Sequence, residues 1–192
     1  MKSPSEKAPK SFSRLMIAVV PLSLWLCAPA PVLGQSLGCV LVPDDRNPSE
    51  KILRCGSNLT IRSAPNTAYR LINPDKRRQP GGARLDSGAL LIEFTPNEVQ
   101  RDFRILTPQA ITAVRGTRWA VEVRPSQTST LVLSGSVEVT RRNSKRGAAP
   151  GARESAVLGA GEGVDVSAGT GPIVVTRWAQ TRIDALMARF GR

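Results

Sequence analysis

The sequence predicts an all-β domain, a sandwich or a solenoid-like roll of short strands, closed by one C-terminal α-helix. Strand-length apolar runs recur along the chain with turn residues between them. The 192 residues include 16 Gly and 15 Pro, which interrupt helical hydrogen bonding too often for long helices. Helical periodicity arises only near the C-terminal end, and no helices alternate with the strands, so a parallel α/β sheet is not indicated.

The first 34 residues read as a leader and not as part of the fold. Lys2, Lys7, Lys10 and Arg14 make a basic start, residues 15–28 are apolar and uncharged, and Val32-Leu33-Gly34 offers a cleavage site before Gln35. That is the layout of a secretory signal peptide. An uncleaved signal anchor is the alternative, although the apolar run is short of the ~20 residues a spanning helix needs. No spanning segment is expected in the mature chain. Cys27 follows Leu26 and Cys39 lies beyond the apolar run, so neither suits a lipid-modified cysteine. Cleavage lowers the formal net charge from +12 to +9 by removing four Lys/Arg and Glu6.

The β domain is expected over residues 35–176. Cys39-Val40-Leu41-Val42 is the first strand. Residues 52–55 and 59–62 follow, split by Gly56-Ser57-Asn58, and residues 68–72 end at Asn73-Pro74-Asp75. Residues 76–84, rich in Lys, Arg, Gly and Pro, read as a surface loop. Residues 89–94 form the next strand, entered through Asp86-Ser87-Gly88, and residues 103–106 lead to Thr107-Pro108.

Residues 110–114, a turn at Arg115-Gly116, and residues 117–123 make the clearest block. There Trp119, Val121 and Val123 share one face, and Arg118, Ala120 and Glu122 the other. Residues 131–133 and 136–140, joined through Ser134-Gly135, form a hairpin or a tight corner. The basic stretch 141–153 reads as a loop. Residues 156–158 and 162–166 flank Gly159-Ala160-Gly161, and residues 173–176 form the last strand. Gly116, Gly135 and Gly161 are assigned to structural turns.

Residues 177–192 are expected to be a helix packed on the domain. Ile183, Leu186, Met187 and Phe190 fall at i, i+3, i+4 and i+7, Trp178 can join that stripe, Thr176 is the candidate N-cap and Gly191 the stop. Docking this stripe on a partner is the rival reading.

Cys39 and Cys55 remain after cleavage, and an even number in an oxidising compartment reads as one disulfide. The bridge would close a loop of about 17 residues, worth on the order of 3 kcal/mol. Free or metal-binding cysteines are the alternative. With no His in the chain, a zinc site would need carboxylates, and no cluster suggests one.

The same lack of His removes a Ser-His-Asp triad and a His base. The chain has no phosphate-binding glycine loop. Acidic residues are scattered, and Asp44-Asp45 would point apart in an extended segment, leaving a paired-carboxylate glycosidase as a minor alternative. The expectation is a chain that is not an enzyme, with no cofactor and no metal. Export and sparse aromatics also speak against nucleic acid.

Thr107-Pro108, the strand 110–113, Val114-Arg115-Gly116-Thr117 and Trp119 resemble the signature of the FecR domain family. Leu131-Val132-Leu133-Ser134-Gly135-Ser136-Val137-Glu138-Val139 resembles its strand–Gly–strand corner, and Leu158-Gly159-Ala160-Gly161-Glu162-Gly163-Val164 its Gly-Glu turn. The likeness runs over about residues 103–166. It implies a periplasmic β module that binds protein. Family regulators that control a sigma factor carry a cytoplasmic segment, and only 14 residues precede the apolar run here, so that activity is not carried over.

Within this block Arg115 either bonds turn carbonyls or meets an acidic partner. Trp119 is either core or an exposed anchor. Arg115, Arg118 and Trp119 are the candidate partner-binding residues. The expected function is an exported, periplasmic or secreted scaffold or signalling module, binding another envelope protein through its β surface, with edge-strand addition as the candidate mode. The alternative is a binder of anionic envelope polymer, peptidoglycan or lipopolysaccharide, drawn by the positive charge.

Overall fold

The computed structural model describes residues 38–44, 51–73, 79–98, 100–142, 154–169 and 172–191. The expected leader, most of the loop 141–153 and residues 76–78 of the loop 76–84 lie outside the described residues.

The strands are β1 (Cys39–Pro43), β2 (Lys51–Cys55), β3 (Leu59–Ser63), β4 (Ala68–Ile72), β5 (Gly82–Phe94), β6 (Phe103–Leu106), β7 (Ala110–Val114), β8 (Thr117–Arg124), β9 (Gln127–Ser134), β10 (Val137–Arg141), β11 (Ser155–Leu158), β12 (Glu162–Ser167) and β13 (Thr176–Arg177), followed by helix α1 (Gln180–Ala188). They confirm the all-β class. One 13-stranded sheet curls on itself in place of two separate sheets.

The long strand β5 is the hinge of that curl. Its first half pairs with β4 and β6, and its second half with β3 and β8. The two halves meet at Gly88, and each belongs to one wing. One wing runs β11-β10-β7-β6-β5-β4, the other β13-β12-β9-β8-β5-β3-β2-β1. Among the described residues only β5 and β6 run parallel. Residues 82–84, expected to lie in a loop, are strand, and Gly82 and Ala83 are buried because residues this small fit between the neighbouring strands β4 and β6.

Between the wings lies the main core, with Ile61, Leu85, Ile92, Phe103, Trp119 and Leu158 among its buried side chains. Three tight corners carry the chain from wing to wing: β7 to β8, β9 to β10, and β11 to β12. Residues 134–137 therefore form a corner and not a hairpin, since β9 pairs with β8 and β12 while β10 pairs with β7 and β11. Gly116, Gly135 and Gly161 all take positive φ at these corners. Gly135 has a second reason to be Gly, because a Cβ there would lie 2.3 Å from the Gly116 carbonyl oxygen.

At the far end, side chains tie the wings together. Thr128 Oγ1 donates to Gln109 Oε1 at 2.7 Å and sits 2.8 Å from Thr107 Oγ1. Arg142 Nη1 donates to the Thr107 carbonyl at 3.2 Å. Thr107 of the Thr-Pro motif is thus part of a buried polar cross-link.

Helix α1 covers the outer face of the second wing. Leu186, with Trp178 and Phe190 just outside the helix, packs on Ala89, Leu91, Ala120 and Leu131. The stripe expected from the i, i+3, i+4, i+7 spacing is therefore covered by the protein's own sheet and is not left for a partner. The helix starts later than expected. Thr176 lies in β13, and the N-cap position is Ala179, with no side-chain cap. The strand expected over residues 173–176 shrinks to Thr176–Arg177; Ile173 and Val175 still pack against the main core.

Candidate partner-binding edge

β1 is the outermost strand of the second wing and pairs only with β2 among the described residues. Its five residues, Cys-Val-Leu-Val-Pro, carry no charge. Neighbouring residues of a strand point to opposite faces. Val40 is 59% exposed and Leu41 is 65% exposed, so neither face of β1 is covered at its centre.

Such a strand gains little from burial, and it is held at its two ends instead. Cys39 faces Cys55 across the antiparallel ladder and is bonded to it. Just past the other end, Asp44 forms an ion pair with Arg62 of β3, and both side chains are buried. The turn after β1 thus begins with a buried anchor.

The direction of the backbone groups follows from the register. Gly56 N–H donates to the Gly38 carbonyl at 3.2 Å. By alternation Val40 and Val42 turn their amides toward β2, and Leu41 turns its N–H and C=O toward the open edge. An unpaired strand edge of this kind is a template for another strand.

The three residues singled out at the β7–β8 corner do not form a common surface. Trp119 is 0% exposed and stacks edge-on against Phe103, with centroids 6.4 Å apart, so it is core and not a partner anchor. The apolar face it shares with Val121 and Val123 turns inward. Arg118 points the opposite way and pairs with Glu93 at 3.0 Å. Arg115 alone is fully on the surface.

Asp165 and Glu122, on the outer face of the second wing, are both held by arginines. Asp165 is half-buried, which pushes its pKa up, but hydrogen bonds from Arg182 and Ser129 outweigh that and hold it below its ordinary value. Arg182 Nη2 reaches both its oxygens, at 2.6 and 2.8 Å, and its guanidinium lies 3.4 Å from the centre of the Trp178 ring. This cluster fastens the helix. On the same face Glu122 is clamped by Arg189 and by Arg124, the latter at 3.1 Å. Among the described residues no three His, Cys, Asp or Glu side chains gather to hold a metal ion, and no helix is long and apolar enough to cross a membrane.

The edge itself was not legible as a site. The sequence marks residues 39–42 as a strand, but a strand's rank in the sheet is set by pairing with distant residues. The available signal was two adjacent uncharged, β-branched or bulky residues beside a cysteine and a turn.

Fold and edge together define a curled all-β module with a helix on one outer face and an open apolar strand. Residues 49–138 match the family model described as FecR protein, so this segment carries the FecR likeness expected from its motifs. The matched segment begins well before residue 103 and ends in β10, leaving the glycine turn at 159–161 outside it. Two solved structures, each described as a "putative anti-sigma factor" from Parabacteroides distasonis ATCC 8503, are similar at 17% and 16% identity, both with a TM-score of 0.47. The alignments cover 78% of this chain but only 59% and 60% of theirs. None of the curated proteins matches the chain.

Proposed function

We propose that this chain is an exported, non-enzymatic FecR-like module of a bacterial envelope, periplasmic or secreted, which binds another protein strand along β1. The carrying observation is the uncharged edge strand with Val40 and Leu41 exposed on opposite faces. Strand addition supplies affinity through main-chain hydrogen bonds and specificity through alternate side chains. The FecR match over residues 49–138 supports a signalling module. The leader pattern of residues 1–34 and the Cys39–Cys55 bond support an oxidising compartment.

Binding of anionic polymer is the lesser reading. Several surface arginines are already matched by acids: Arg84 by Asp86, Arg104 by Asp102 and Arg118 by Glu93. That leaves less free positive charge than the composition suggests.

Affinity capture from an envelope extract tests the proposal, with wild type and Leu41→Lys compared side by side. The expected result is a protein held by wild type and lost with the variant. Equal recovery by both would remove β1 from the binding surface.

A further inference from the structure

We infer that the strand which pairs with β1 is β1 of a second copy of this chain; this rests on the reading of β1 as a protein-pairing edge and names its partner. The argument is one of self-complementarity. Antiparallel pairing about a two-fold axis sets each residue opposite its mirror position, so a strand with a central charge repels itself. β4, the terminal strand of the first wing, has Arg70 at its centre, and β13 carries Arg177. Self-pairing at β4 would set arginine against arginine. β11 is uncharged, but its Leu158 is buried and its exposed residues, Ser155 and Val157, share one face, so it offers that face alone.

β1 alone is neutral, apolar and open on both faces. Its geometric centre is Leu41, whose N–H and C=O point outward. A two-fold axis there pairs Leu41 with Leu41 of the second copy through two reciprocal N–H to C=O bonds, and sets Val40 opposite Val42. Both copies then bury Val40 and Leu41, each more than half exposed in the single chain, and the second wings join into one continuous sheet. The clamps at Cys39–Cys55 and Asp44–Arg62 hold each strand extended beforehand, which lowers the ordering cost of association. A five-residue contact is smaller than the roughly 1,200 Å² of a stable interface, so the dimer forms at about micromolar concentration or above.

Sedimentation equilibrium of the purified, oxidised protein tests this. Wild type should show a concentration-dependent dimer. Leu41→Lys and Leu41→Glu should each weaken it at least about tenfold alone, and re-associate when mixed, because residue 41 faces residue 41. Val157→Lys, on the other uncharged edge, should leave dimerisation unchanged. A wild type that stays monomeric, or single variants that dimerise normally, overturns the inference. So does a mixture that stays monomeric. A monomer that still captures a different protein through Leu41 overturns only the second-copy assignment, whereas a monomer whose captures ignore Leu41 overturns the reading of the edge as well.

Discussion

Asp44 and Arg62 face each other as a buried ion pair, each side chain only 7% exposed, joining the end of the edge strand to the third strand of its wing. Neither charge has water to fall back on. Removing one partner leaves the other desolvated, which typically costs about 3–5 kcal/mol, whereas replacing both by apolar groups costs much less. Arg62→Met should therefore lower stability by about that amount, and Asp44→Leu with Arg62→Met together should recover most of it. Denaturant unfolding of the single and double variants checks this, with the coupling read from the cycle.

The disulfide at the opposite end of β1 acts through the unfolded chain. With Cys39 and Cys55 separated by 16 positions in sequence, its removal should cost about 3 kcal/mol on the loop-entropy account. Cys39→Ser with Cys55→Ser should unfold at lower denaturant than the oxidised protein. Added reductant should shift the wild type toward the double variant and leave that variant unmoved.

Gly163 is fixed by what lies over it. A Cβ there would sit 2.3 Å from Cε2 of Trp178 and 2.9 Å from the Thr130 carbonyl oxygen. Gly163→Ala should push the indole off the sheet and cost roughly 1–3 kcal/mol by overpacking. Thermal unfolding followed by Trp fluorescence reports it, and Gly159→Ala, where the nearest atom is the Glu162 carboxylate at 3.5 Å, should change little.

Asp165 gives the fold an acid-sensitive fastening. Its folded pKa is held below the ordinary 3.8 by Arg182 and Ser129 against the opposing effect of burial. The stabilisation is therefore present above 3.8 and is lost as pH falls through the lower folded value. Asp165→Asn should lower stability at neutral pH and flatten the acid limb of the stability curve. Equilibrium unfolding at stepped pH checks both, and parallel curves for variant and wild type would contradict the assignment.

Much of this architecture can be read from residue order, and the reasons for the gaps are physical. Alternation in residues 117–123 places Trp119 and Val121 on the core face because a half-buried strand repeats every two residues. The stripe Ile183, Leu186, Met187 and Phe190 marks the helix for the matching reason. Polar strands hide from that pattern. Gln127-Thr128-Ser129-Thr130 opens β9, and three of these residues are buried, with the hydroxyls of Thr128 and Ser129 placed by hydrogen bonds and not by hydrophobicity. The first half of β5 hides behind Gly81-Gly82, which reads as loop although a Cβ at Gly82 would lie 2.4 Å from the Arg104 carbonyl oxygen of the parallel strand. The partner-binding candidates fared unevenly for a related reason. A Trp beside a glycine corner signals packing or recognition equally well, and only the wing behind it shows that Trp119 is sealed. Residues at a sheet's rim carry no local mark at all, since Leu41 is an edge residue through the position of β2, β3 and β5.

The pairing edge is the claim on which the functional account turns, and site-specific photo-crosslinking in intact producing cells addresses it most directly. A photoreactive side chain at position 41 should yield a covalent adduct with protein after export, and the same group at position 157 should not. An exported, folded chain that gives no protein adduct from position 41 would contradict the account.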